Sequence, residues 1–542
     1  MDSVCPTGGV DQSLAAARLR GFREEAYGCL GRRRDALFEL VDGLLAAESM
    51  PSLPLLSLSP VHRRGWGSVY AALAVGEVDA DRLATVLAGH RHPAAPLVFA
   101  VDASTWPRCD AECSPGRGFF YSPTGHSAGQ PIVAGWCYSW IAQLSFERDS
   151  WTAPVDAHRV PAGEDLGRVT AAQVRALTTR LDIGEAVPLF VFDAGYDPIA
   201  LTVDLADLPV AILTRIRCDR VFYGVPAPGR LGRPPRHGAR ICCADPTTWP
   251  APEQALEADD EQYGRVQVAS WAGLHPKLAG RGRWNGCTEP PIVTGTVIRV
   301  QVEHLPRPTA RAVKTLWLWW AGPGRLDLDR CWRAYIRRFD LEHTFRFCKQ
   351  VLGRTTPRIR TPEQADRWTW LVLLAYTQLR MARPIAADAR LPWQRPLPAH
   401  RLTPGRIHRD FPRLLPLLGT PASPPKPCGR SPGRPAGSRR GPAPRQPAIK
   451  RQPPEGKSQA QMAQRRNRLA VSRARRRRAV PHSARSLHPV PTCDRAPILS
   501  RRLWRSFSIA GRRLPAGLVM MPSRRRRSCG LDTYECTHVG VP

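Results

Sequence analysis

Tyr335-Ile-Arg-Arg338-Phe-Asp-Leu-Glu342-His-Thr-Phe-Arg-Phe-Cys-Lys349 lies in an interval, Leu328 to Leu352, that contains no Pro or Gly, and it reads as one helix. At about 100° per residue, Tyr335, Arg338, Glu342 and Lys349 fall within roughly one sixth of the helix circumference. One carboxylate thus shares a stripe with two cations and a phenol. A carboxylate that holds Mg²⁺ beside a phosphate needs such neighbours: the cations and the hydroxyl grip phosphate oxygens while the carboxylate grips the ion. An ordinary solvated face accounts for the Arg and the Glu. It accounts less well for a Tyr and a distant Lys on the same line.

A lone Glu makes no site for phosphoryl chemistry; two more carboxylates are needed, each fixed at a strand end. Pro96-Leu-Val-Phe-Ala-Val-Asp102 is a short apolar run ending in Asp102, and Val187-Pro-Leu-Phe-Val-Phe-Asp193 repeats the design. Continuous apolar runs of this length suit strands buried on both faces. Carboxylates at the exits of adjacent central strands would lie side by side. Asp102, Asp193 and Glu342 would then form an all-oxygen pocket with a charge near −3, which needs cations and favours Mg²⁺ or Mn²⁺ over zinc. The ordinary alternative for either Asp is a turn residue or helix cap.

In this order and spacing the residues resemble those of bacterial insertion-sequence transposases of the DDE superfamily, in the subgroup marked by Tyr, two residues, Arg, three residues, Glu, six residues, Lys. Tyr335, Arg338, Glu342 and Lys349 match at every position, and Asp102 and Asp193 match the two family Asp residues. Further similarity lies in His126-Ser-Ala-Gly129 through Gly135-Trp136-Cys-Tyr138-Ser139, and in Gly232-Arg-Pro-Pro-Arg-His237-Gly238; it spans roughly residues 15 to 440. The resemblance implies a ribonuclease H-like fold and a DNA transposase with Asp102, Asp193 and Glu342 as catalytic, metal-holding residues. It implies two Mg²⁺ (or Mn²⁺) ions, roughly 4 Å apart and bridged by Asp102. Tyr335, Arg338 and Lys349 would contact DNA. The expected partner is double-stranded DNA, as terminal repeats and target, bound by a homodimer in a synaptic complex.

Composition agrees. The chain has 542 residues and a formal charge of +33. After residue 420 there are 28 Lys and Arg against 4 acids, so the tail carries about +24 and the rest about +9. A polyanion, nucleic acid first, is the implied partner. The tail has no amphipathic pattern for lying on a membrane, and the longest apolar stretch, Trp368 to Leu379, is too short to span one. The 15 Cys are scattered without paired Cys-x-x-Cys spacing, which suits free thiols in a reducing compartment. With no signal peptide visible, the expectation is a soluble cytoplasmic protein, associated with the nucleoid when bound to DNA.

Along the chain the expected class is α/β with a mixed sheet. Residues 1–92 read as a helical N-terminal region for DNA ends, or alternatively as a brace on the core, with Arg63, Arg64 and Trp66 as its candidate contacts. Residues 93–216 and 313–390 read as the two parts of the ribonuclease H-like core, with the last strand at Lys314 to Trp320. Residues 217–312 read as a β-rich insertion. There Trp249, Trp271 and Trp284 are candidates for stacking on a flipped base, or simply pack internally, and Gly232 to Gly238 reads as a phosphate-tracking loop or a plain turn. Residues 391–542 read as a Pro/Arg-rich, largely disordered basic tail with tetra-arginine blocks at Arg475 to Arg478 and Arg524 to Arg527. Beyond about Pro454 the tail reads either as a DNA-binding arm or as frame-shifted read-through. Three competing functions remain: a non-catalytic or decayed DNA-binding protein, a structure-specific nuclease on the same scaffold, and a glycoside hydrolase using an Asp–Glu pair. The last explains neither the charge nor the Arg338–Lys349 clamp.

Overall fold

Short apolar runs make the centre of the sheet. The computed structural model describes residues 7–50, 52–122, 131–227, 235–278, 282–305, 314–427, 433, 435, 437 and 441–449. The strands are β1 (Val98–Pro107), β2 (Gly118–Tyr121), β3 (Ile132–Leu144), β4 (Thr152–Val160), β5 (Leu189–Phe192), β6 (Ala211–Ile216), β7 (Val221–Tyr223), β8 (Arg240–Cys242), β9 (Gln254–Asp260), β10 (Gly264–Leu274), β11 (Gly295–Val302) and β12 (Thr315–Ala321). All but the β7–β8 pair join one mixed sheet in the order β2-β3-β1-β5-β6-β12-β11-β10-β9, with β4 also on β3. β1, β5 and β6 are parallel, and the other pairings are antiparallel. The parallel strands are the buried ones: Leu189 to Phe192 are all covered, as parallel pairing with helices on both faces demands.

Successive residues of these strands feed opposite cores. Val98 and Ala100 join one cluster, Phe99 and Val101 the other, which is the period of two that a pleated strand imposes. The first cluster joins the sheet to helices α1 (Thr7–Gly28), α2 (Arg34–Ala46), α3 (Leu53–Leu56), α4 (Trp66–Val75) and α5 (Ala80–Gly89). The second lies under α6 (Leu166–Thr178) and α7 (Pro198–Asp204). The chain then forms α8 (Leu328–Arg337), α9 (Asp340–Gln350), α10 (Pro362–Met381) and α11 (Pro404–Leu418). α10 starts with Pro362 in the first turn and a reciprocal cap between Thr361 and Gln364. It is buried along most of its length between α2 on one side and β4 on the other.

The expected mixed α/β class is what forms, and the strand-rich interval 217–312 precedes β12. The β9–β11 strands nonetheless extend the central sheet through β12 rather than forming a separate layer. Four local expectations need correction. The interval Leu328 to Leu352 is two helices, because the Phe339, Leu341 and Glu342 amides bond three residues back instead of four, a tightened join between helices. Asp102 is not at a strand exit but inside β1, which runs five residues further as the partner of the long β3. Residues 391–427 are not structureless: Pro404–Leu418 is a helix whose Ile407, Phe411, Leu414 and Leu415 pack into the first core, with Pro412 and Pro416 on its exposed side. Finally, residues 441–449 run beside the segment that leads into β2, where the Gln446 amide bonds the Glu112 carbonyl and Ile449 bridges Gly118, the first residue of β2. The tetra-arginine blocks and His126 to Gly129 lie outside the described residues. Among those described, no helix is long and apolar enough to cross a membrane.

Candidate active site

Parallel register places the first two carboxylates. Val101 of β1 pairs with Phe192 of β5, so Asp102 and Asp193 are the next residues along neighbouring strands. Phe192 in turn pairs with Thr214 of β6, so the same row continues to Arg215. The join between α8 and α9 crosses this row and presents Arg338 and Glu342. The Arg338 guanidinium lies at the centre: Nη1 is 2.9 Å from Asp102 Oδ2, and Nη2 is 3.8 Å from Asp193 Oδ1 and 3.9 Å from Glu342 Oε1. The Arg338 side chain is 8% exposed, against 20% for Asp102, 41% for Asp193 and 28% for Glu342. The carboxylates are therefore partly exposed, Asp193 most, and the guanidinium is more enclosed than any of them.

Electrostatics follow from that packing. Burial pushes the Asp102 carboxyl above its usual range; Arg338 pulls it back and Asp193 adds to the push. Burial alone would weaken the Arg338 charge, but Asp102, Asp193, Tyr335 and Glu342 together hold it firmly protonated. The second Asp102 oxygen, Oδ1, accepts the Ala103 amide at 2.7 Å, so this carboxylate is fixed in orientation.

Not every expected residue joins the cluster. Tyr335 is buried, lies 5.9 Å from the Arg338 guanidinium, and has its hydroxyl bonded by Arg215. Burial raises its pKa, so it stays neutral. Lys349 makes no ion pair within 4 Å among the described residues. It stands in the last turn of α9, where burial and then the nearby Arg354 lower its pKa to about 8. The sequence reading missed Arg215 and Arg354. Arg215 carried one signal in the sequence, a cation near the end of a third apolar strand; its register with Asp193 shows only in the fold. Arg354 carried none. It is fully buried, stacks 4.9 Å from the Tyr138 ring and 5.1 Å from Trp140, and donates to Ser104 Oγ at 3.0 Å.

Most of the other candidate contacts have partners within the chain. Arg63 and Arg64 converge on the buried Glu39 and on the carbonyls of Ala422 and Ser423, which ties α2 to residues 422–423, while Trp66 is exposed against Tyr70. Trp271 is buried, Trp249 packs against Trp271 and Trp317, and Trp284 packs at the edge of the same core. In the basic loop, Arg236 reaches Glu289 and His237 bonds His275 at 2.9 Å; Gly232 to Pro234 lie outside the described residues.

Three hard oxygen donors around a single positive charge suit a divalent cation chemically. In the arrangement shown they close on a guanidinium. Among the described residues, no group of three or more His, Cys, Asp or Glu side chains is spaced to grip one ion.

A family model described as DDE superfamily endonuclease matches residues 25–277. The match takes in Asp102 and Asp193 and stops short of Glu342. No curated protein matches the chain. Among solved structures, a cryo-EM structure of piggyBac transposase in a synaptic complex with hairpin DNA is similar at 10% identity, covering 74% of this chain and 76% of that one, with a TM-score of 0.35.

Proposed function

We propose that this chain is a DNA transposase that cuts and joins the ends of a bacterial insertion sequence, by phosphodiester hydrolysis and then transesterification on a ribonuclease H-like core. The observation that carries the reading is the meeting of Asp102, Asp193 and Glu342, remote in sequence, around Arg338. The family match over residues 25–277 supports it, as does the charge of +33, which suits a phosphate polymer.

Asp102, Asp193 and Glu342 would hold Mg²⁺ or Mn²⁺, and such ions supply an activated oxygen nucleophile and a stabilised leaving oxygen. The chain's own contribution is positioning. The Ala103 amide fixes Asp102 so that Oδ2 faces the site. Arg338 and Lys349 grip phosphates beside the scissile bond. Tyr335, enclosed behind Arg338, orients Arg338 and Arg215. Two copies of the chain hold two DNA ends in the working complex.

The test is incubation of the purified full chain with its flanking DNA and Mg²⁺ or Mn²⁺, scoring cut and joined strands. Both products are expected. Asp102→Asn, Asp193→Asn and Glu342→Gln should each lower cleavage by about a thousandfold or more, with DNA affinity kept within about threefold because the basic surface is untouched. Full cleavage by any of the three variants refutes the assignment. Cutting without joining favours the structure-specific nuclease, and binding alone favours a decayed element.

A further inference from the structure

Resting on that reading, we infer that Arg338 is the built-in counter-ion of the three-carboxylate cluster, that it competes with divalent cations for it, and that DNA phosphate relieves the competition. The geometry carries this. One guanidinium reaches Asp102, Asp193 and Glu342 at 2.9, 3.8 and 3.9 Å, and the charge-assisted bond to Asp102 is the shortest of the three. A cation bridging two of these carboxylates needs oxygens at about 2.1 Å. Arg338 Nη1 already holds the oxygen of Asp102 that faces the site, and Asp102 Oδ1 is taken by the Ala103 amide. An ion entering between Asp102 and Asp193 would therefore meet a positive group within hydrogen-bond range of its ligands. Burial of that group sharpens the repulsion, since less water screens it.

The same packing shows how Arg338 is released. Its Nε is buried with no hydrogen-bond partner, so its hydrogen bonds and ion pairs run through the terminal nitrogens. Those nitrogens form a planar fork suited to a phosphate diester. A DNA backbone laid across the partly exposed carboxylates offers the guanidinium an anionic partner, and Arg338 then leaves the cluster it had neutralised. Affinity for the cation and affinity for DNA must rise together, because coupling between two ligands is reciprocal. The carboxylates stay closed until substrate is present, which limits metal-dependent cutting of wrong targets.

The experiment is Mn²⁺ titration of the DNA-free full chain, read by calorimetry and by the Mn²⁺-dependent rise in Tm, for the wild type, R338A, R338Q and R338A/D102N. R338A and R338Q should bind Mn²⁺ about tenfold more tightly than the wild type, and D102N should remove the gain. A duplex oligonucleotide should raise wild-type Mn²⁺ affinity by a similar factor and leave R338Q nearly unchanged. Where R338A does not fold, R338Q carries the same readout. If the Arg338 variants bind Mn²⁺ no better than the wild type, Arg338 is not a competing counter-ion, even where the wild type cuts DNA. If they gain Mn²⁺ and the wild type does not cut its flanking DNA, the counter-ion role stands and the transposase reading fails. Absence of Mn²⁺ binding in every protein overturns both.

Discussion

Lys349 and Arg354 are two cations at the C-terminal end of α9, with no carboxylate bound to either among the described residues. Arg354 is fully buried, with Nε and Nη2 unpartnered, and burial lowers its pKa to about 10. Its stabilising contribution is packing against Tyr138 and Trp140 rather than charge. Arg354→Ala should therefore cost about 2–4 kcal/mol by leaving a cavity, whereas Arg354→Met should cost less than about 1.5 kcal/mol because it fills the space without a buried charge. Chemical denaturation of both variants measures the difference, and equal losses would show that charge dominates. Lys349 gives a pH signature. Its folded pKa of about 8 lies below the unfolded value near 10.5, so the unfolded chain holds the proton that the folded chain releases between these pH values. This group's contribution to stability is least favourable below pH 8 and improves as pH rises to about 10.5. The phosphate contact proposed for it would run the other way, because the charge is lost as pH rises through about 8. DNA affinity should fall from pH 7 to 9 in the wild type and stay flatter in Lys349→Arg, as read by fluorescence anisotropy at constant salt.

The join between α8 and α9 sets the site at the next scale. Arg337 and Arg338 are adjacent, yet one bonds the Asp149 carbonyl and sits 3.3 Å from Asp340, while the other pairs with Asp102 and lies near Asp193 and Glu342. Burial raises the Asp340 pKa to about 7; Arg337 opposes the shift and Asp149 adds to it. The folded chain thus keeps a proton that the unfolded chain loses near pH 4. Stability should decline as pH rises from about 4 to about 7 and then level. Asp340→Asn should remove that decline, and urea midpoints between pH 4.5 and 7.5 would show it; parallel curves for the two proteins would assign the slope elsewhere. The α8–α9 break was not legible in the sequence, because nothing in Arg338-Phe339 disfavours a helix and tertiary packing imposes the turn. What was legible followed from strong local patterns: the apolar runs of β1 and β5, whose Asp residues do become row neighbours. The prolines of α11 hid its periodicity. Arg215 stayed hidden because strand register, not sequence distance, brings it beside Asp193.

At the scale of the molecule, the N-terminal helices and the sheet share one hydrophobic core, tied by buried Arg23, which bonds Asp42, Gln378 and the Gly419 carbonyl. The same wrapping continues near the C-terminus. Gln446 donates its amide to the Glu112 carbonyl, Arg117 donates to the Gln446 carbonyl, the Ile449 amide reaches the Arg117 carbonyl at 2.7 Å, and Arg445 pairs with Glu112 at 3.1 Å. Residues 441–449 thereby tie down the segment from Glu112 to Arg117 and meet β2 at its first residue, Gly118. This predicts a sharp boundary within a tail whose composition looks uniform. A chain ending after Ile449 should keep the full-length Tm to within about 2 °C, since it loses none of these contacts. A chain ending at Pro427 should melt several degrees lower, because the segment from Glu112 to Gly118 loses these bonds. The first truncation removes 22 Lys and Arg and 4 acids, so its DNA affinity should depend less steeply on salt, with specific cleavage retained. Differential scanning calorimetry and a salt series on the two truncated chains separate these effects. Equal melting of both would mean that residues 441–449 contribute no stability, and an unchanged salt slope after removal of residues 450–542 would mean that the arginine blocks do not touch DNA.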